Sequence, residues 1–339
     1  MLKTNKAKFV SVLAAITLSG TSFVALADNA EQNNGKEQAN ASQNNNQAAQ
    51  KGDQAPAVRF GNPTRDIGTD ADQQSYDQTD GGIAGIAIAG SRVFSTRVVN
   101  GATRQPASGI SLLTKHSGNP MQTTHLYAIY WGSTFVSGYQ SAVNAYLSAI
   151  TTAPLNTVTN QYFVSPAKNQ MVYSGTYSDT SSTPPTVAPT TASILSEVYR
   201  AVVTLGKGSL DPAGLYMVFT NNYPSRANYC AWHGAGSVKG SANFTVAYQP
   251  FLGGIAGCNP AGLSGFQTYS TLSGMDAVAN VASHEIYETI TDPFLNAWYD
   301  ASGSEIGDKC AWYSGYTKLN GTYSLLTEWS NVAKACAVS

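Results

Sequence analysis

The residues with the most chemical potential fall in one stretch, Ser283-His284-Glu285-Ile286-Tyr287-Glu288-Thr289-Ile290-Thr291-Asp292-Pro293. An α-helix turns about 100° per residue. With His284 at zero, Glu288 stands at about 40°, Asp292 at about 80° and Glu285 at about 100°. Four ionisable groups would share one face. An imidazole and a carboxylate at i and i+4 can close on a single ion, as the two histidines of His-Glu-x-x-His do, and the intervening glutamate is then left to activate water. Here the i+4 position is Glu288. Zinc accepts carboxylate oxygen, although the harder donor keeps calcium open as an alternative.

The bare spacing also fits a helix that turns its acids to solvent and gives His284 an ordinary hydrogen-bond partner. The flanking residues favour the metal. Val278, Val281, Ala282, Ile286 and Ile290 are apolar or small, which suggests a partly buried helix, and buried carboxylates without a cation are very costly. No Lys or Arg occurs between Met275 and Asp308. A catalytic zinc needs a third protein ligand. Asp308 is the first choice, because it follows the helix and lies two residues before Cys310. His233 is the second, and packing beside Trp232 is an equally good account of it. Asp292 and Asp300 are further candidates, as ligands or as groups that orient one. Asp300, Ser302, Ser304, Glu305 and Asp308 are clustered oxygen donors that could form a calcium loop, but a tight hairpin is the simpler account. His116 and His125 receive no role.

Several elements must position these groups. His125 to Trp131 reads as a buried strand, and Val143, Tyr146, Leu147 and Ile150 follow at helical spacing. After the Ser/Thr/Pro-rich loop Ser174 to Thr191, a second helix carries Ile194, Leu195, Val198, Val202 and Leu205 on one face and stops at Gly206. Leu215 to Thr220 and Phe244 to Phe251 read as strands. The third helix runs from about Met275 to Pro293. Trp298 to Cys310 reads as a hairpin, and Asn320-Gly321 marks another. The expected class is α/β or α+β, a mixed sheet with an active-site helix and C-terminal hairpins.

Charge is sparse and balanced: 19 Lys and Arg against 20 Asp and Glu in 339 residues, 12% of the chain. That argues against a nucleic-acid partner, which requires a basic face. Lys3, Lys6 and Lys8 precede an apolar run that ends in Ala25-Leu26-Ala27, so residues 1–27 read as a signal peptide. Residues 28–82, rich in Asn and Gln, are expected to be a disordered leader, and residues 83–339 a single globular domain. No later stretch is long enough to span a membrane. Export, extracellular or periplasmic, permits disulfides. Cys230, Cys258, Cys310 and Cys336 allow three pairings, of which the sequential one, Cys230 with Cys258 and Cys310 with Cys336, is expected. There is no Gly-x-Ser-x-Gly elbow, phosphate-cradling loop or dinucleotide fingerprint, which disfavours acyl-enzyme, nucleotide and hydride chemistry.

Six segments in order, Trp131-Gly132, Leu215 to Thr220, Tyr229 to Gly234, His284 to Pro293, Asn296 to Tyr299 and Glu305 to Cys310, resemble the Exordium or phosphate-induced protein family. The resemblance implies a secreted protein related to bacterial members of a family known chiefly from plant cell walls, and it implies no established activity. The order of strand, helix, further strands and a His-Glu helix also resembles the zincin metallopeptidases. That second resemblance implies His284 and Glu288 as metal ligands and Glu285 as general base. Two functions are therefore expected from different classes. One is a secreted, zinc-dependent hydrolase, most simply a monomeric peptidase acting on an extracellular protein or peptide. The other is a non-enzymatic extracellular module that binds a cell-wall polymer or carbohydrate and carries a structural ion.

Overall fold

A computed structural model describes residues 67–68, 86–95, 111–255, 258, 275–311 and 316–339. All of these lie within the unit Ala55–Ser339. The signal peptide expected at 1–27 lies outside the described residues. Of the leader expected at 28–82, only Ile67–Gly68 is described.

This unit is an α+β fold on a seven-stranded mixed sheet. Its strands are β1 (Ile67–Gly68), β2 (Ile86–Ser95), β4 (Thr123–Trp131), β5 (Gln170–Asp179), β6 (Gly214–Thr220), β7 (Tyr229–Val238) and β8 (Phe244–Gln249), in the order β1-β2-β7-β8-β6-β4-β5. The strands β5, β4, β6 and β8 run parallel. Parallel neighbours need crossovers, which helix α1 (Tyr139–Ile150) provides between β4 and β5 and helix α2 (Thr191–Tyr199) between β5 and β6. Helix α2 continues as a π-helical turn, Arg200–Leu205, up to Gly206. Thr190 caps its start, accepting a hydrogen bond from the Ser193 amide at 3.1 Å.

Alternation along the strands builds two cores on opposite faces. Leu126, Ala128 and Tyr130 of β4 join Leu215, Met217 and Phe219 of β6 beneath α1 and helix α3 (Met275–Thr291). Ile129 and Trp131 join Tyr216, Val218, Val246 and Tyr248 beneath α2. Helix α1 presents Val143, Tyr146, Leu147 and Ile150 inward, as its spacing predicts. The small residues Ala279 and Ala282 bring α3 close to the sheet, with Val278, Ile286 and Ile290 filling the same core.

At the end of β5, Asp179 is buried beside Arg200 and accepts hydrogen bonds from Ser181 and Ser182. Burial alone would raise its pKa, but these bonds and Arg200 bring it down to about 2. Glu197 is buried next to it, 3.6 Å from Arg200, and is pushed up to about 8 by burial first and by Asp179 second. The folded pKa of Glu197 exceeds its ordinary value of 4.5. The neutral carboxyl is therefore tolerated at low pH, and stability is lost as pH rises from about 4.5 towards 8. Glu197→Gln should remove that loss. Calorimetry should find the melting point of the native protein falling by roughly 5 °C relative to the variant between pH 5 and pH 8.

The C-terminal part supplies small antiparallel pairs. Strand β10 (Tyr316–Leu319) meets β11 (Tyr323–Leu326) through Asn320-Gly321, both at positive φ, the hairpin that the sequence predicts. Strand β12 (Glu328–Ser330) pairs with β13 (Ala335–Ala337). The hairpin expected over Trp298 to Cys310 is not formed. Instead, β9 (Trp298–Tyr299) pairs with β3 (Thr114–Lys115), and residues 306–311 form a run of turns. Asp300 accounts for the departure. Its Oδ1 accepts the amides of Ser302 and Ser304, which bends the chain back under α3. Both expected disulfides are present, Cys230–Cys258 and Cys310–Cys336. Among the described residues no helix is long and apolar enough to cross a membrane. The two disulfides fit an oxidising compartment outside the cytoplasm.

Candidate metal centre

Three elements converge on the buried face of α3. The helix brings His284, Glu285 and Glu288, with the first two fully buried and Glu288 2% exposed. Strand β7 brings His233. Its neighbour Trp232 packs into the α2 core, so strand alternation turns His233 to the α3 face, opposite Ala247. The turns after β9 bring Glu305 and Asp308.

The turn region is pinned to the helix at several points. The Asp308 amide donates to Glu288 Oε1 at 3.0 Å, and Asp308 Oδ2 accepts from the Glu305 amide at 3.1 Å. Lys309 is held by Asp300 at 2.9 Å and lies over the Trp329 ring. The next residue is tied down by the Cys310–Cys336 disulfide. Gly307 packs directly on the imidazole: a Cβ there would lie 2.5 Å from His284 Nδ1. Only glycine fits this approach. Gly307→Ala should therefore displace the His284 ring, and a zinc ion held by His284 should then bind about 10–100-fold more weakly, as measured by competition with a chelating dye.

The donor atoms face one another. His284 Nε2 lies 3.0 Å from Glu288 Oε1 and 3.8 Å from Asp308 Oδ1. His233 Nε2 lies 3.2 Å from Glu305 Oε2 and 3.5 Å from Glu288 Oε2. Ligand atoms on a tetrahedral zinc with bonds of about 2.0 Å are separated by about 3.3 Å, so this spacing suits such an ion. Two triads have ligand atoms mutually within 4.8 Å: His284, Glu288 and Asp308, and His233, Glu285 and Glu288.

The electrostatics call for positive charge. Burial favours neutral rings, yet Glu288 first among the acids raises His284 to about 9, and Glu305 first among the acids raises His233 well above its ordinary value. Glu288 resists burial and falls to about 2 because both histidines face it. Glu285 is pushed up to about 8 by burial, and neither of its oxygens has a hydrogen-bond partner. Glu328, also fully buried, is raised well above the carboxylate range by burial and by Glu288 and Asp308, and its two oxygens are likewise unpartnered.

Of the residues singled out in the sequence, His284, Glu285, Glu288, Asp308 and His233 come together. Asp292 does not join the donor set: its Oδ1 accepts the Ala297 amide and closes the end of α3. Asp300 spends its carboxylate on Ser302, Ser304 and Lys309, which makes it a brace for the Asp308 turn and leaves no calcium loop. His116 stacks on Tyr299, and His125 pairs with Asp211 at 2.5 Å, both away from the cluster. Glu305 carried a weak sequence signal, three residues before Asp308 in the same turn region. Glu328 carried none. Compared with known protein families, curated proteins and solved structures, the chain matches none.

Proposed function

We propose that the protein is an exported, zinc-dependent hydrolase of the peptidase type. The observation that carries this reading is Glu285, a fully buried carboxyl with two unpartnered oxygens beside the His284–Glu288 pair on one turn of α3. His284, Glu288 and Asp308 would hold the ion. Imidazole nitrogen with two carboxylate oxygens suits zinc better than calcium, which prefers oxygen alone. When bound, the cation supplies a Lewis acid that makes water nucleophilic near neutral pH and polarises a carbonyl.

The chain's own residues do the rest. Glu285 accepts the proton that water loses and returns it to the leaving amine. Gly307 and the Asp308 amide fix His284 and Glu288 in place. The Asp308 side chain, 33% exposed, marks the solvent side of the centre, where a substrate would approach. The order of the elements and the His-Glu helix support the resemblance to zincins, and the two disulfides support export. The test is hydrolysis of a broad peptide library by the purified protein, with the Glu285→Gln variant alongside.

A second reading is favoured by burial. His233, His284, Glu285 and Glu305 are all 0% exposed, as expected of a structural ion in a non-enzymatic module that binds a cell-wall polymer. Saturable polysaccharide binding without turnover would select it.

A further inference from the structure

The hydrolase reading occupies one oxygen of Glu288. The other oxygen has its own imidazole: Oε1 faces His284 Nε2 at 3.0 Å, whereas Oε2 faces His233 Nε2 at 3.5 Å. A carboxylate whose two oxygens address different histidines is arranged to bridge. Around His233 stands a second donor set, separate from His284 and Asp308. Glu305 Oε2 is 3.2 Å from His233 Nε2, and Glu285 places an oxygen within 4.8 Å of the His233 and Glu288 donors. Glu285 is fully buried, and neither of its oxygens has a hydrogen-bond partner. A carboxyl so placed is aimed into the space before His233, and desolvation makes its isolation there costly unless a cation shares that space.

We infer that the protein binds two divalent cations, one at His284, Glu288 and Asp308 and a second at His233, Glu285 and Glu305, with Glu288 bridging them. Ions in two-metal sites lie about 3.5–4 Å apart, a span that one bridging carboxylate covers. Such a pair can stabilise charge on both the attacking and the departing atom of a displacement. Glu285 would then engage the second ion through one oxygen and keep the other for the proton. The first ion rests on the reading proposed above, whereas the second site stands on its own geometry.

The test is titration of the metal-stripped, full-length protein with zinc, followed by native mass spectrometry. Two bound ions are expected. His233→Asn and Glu305→Gln should each leave one ion, His284→Asn should leave the other, and Glu288→Gln should weaken both by more than tenfold. Saturation of the unmodified protein at one ion would overturn the inference, as would two tightly held ions in folded His233→Asn. The unmodified protein decides the stoichiometry even if a variant does not fold. Two ions with no hydrolysis would remove the hydrolase reading and leave this inference standing, and one ion with hydrolysis would do the reverse.

Discussion

A Glu285→Gln protein should keep the zinc held by His284, Glu288 and Asp308 and lose about 10²–10⁴-fold of its hydrolytic rate. Glutamine preserves the size of the side chain and one oxygen donor, and it removes only the capacity to take a proton. The native side chain has no hydrogen bond to lose, because both oxygens are unpartnered, so the substitution should leave the fold intact. Burial already pushes Glu285 up to about 8, and an amide that never ionises suits that buried position at least as well. Stability should therefore hold or rise slightly while turnover collapses. Kinetics on a cleaved reporter peptide, with zinc content measured on the same sample, separates the two effects. Equal rates for variant and native protein would remove Glu285 from the chemistry.

Stripping the cation should lower the melting temperature by about 10 °C or more. An ion present at a thousand times its dissociation constant adds about 4 kcal/mol, and a domain of this size shifts by roughly 2–4 °C per kcal/mol. The loss should exceed that linkage value if the carboxyls then repel across the turn that joins α3 to Asp308. Differential scanning fluorimetry with and without a chelator reads the effect, and added zinc should reverse it. A melting point indifferent to both would mean that the cluster holds itself together through protonated histidines.

Much of the centre was legible because it is local. His284, Glu285 and Glu288 share one helical turn, where a spacing of four residues fixes their common direction whatever the tertiary fold. Asp308 could be inferred from its distance to Cys310, since a disulfide restricts where its neighbours can go. His233 stayed undecided because strand alternation offers two faces, and only the packing of Trp232 against the α2 core chooses between them. Glu328 lies 40 residues beyond Glu288 on a three-residue strand, and its place comes from docking: the Trp329 amide bonds to the Ile306 carbonyl. Nothing near it in sequence announces that. The misread hairpin over Trp298 to Cys310 has a similar origin. Alternation and turn residues there suggest strand pairing, but the Asp300 turn, the Gly307 contact with His284 and the Asp308 bond to Glu288 outweigh it. The three main helices were easier, since each shows an apolar stripe or a Pro or Gly stop.

Elemental analysis of the purified protein, beside a folded His284→Ala variant, bears most directly on the claim that this helix face grips a divalent cation. The account predicts at least one equivalent of zinc in the native protein and a loss of at least one equivalent in the variant. Native protein that is folded, metal-free and unable to take up zinc would contradict it, as would a variant that keeps the full native complement.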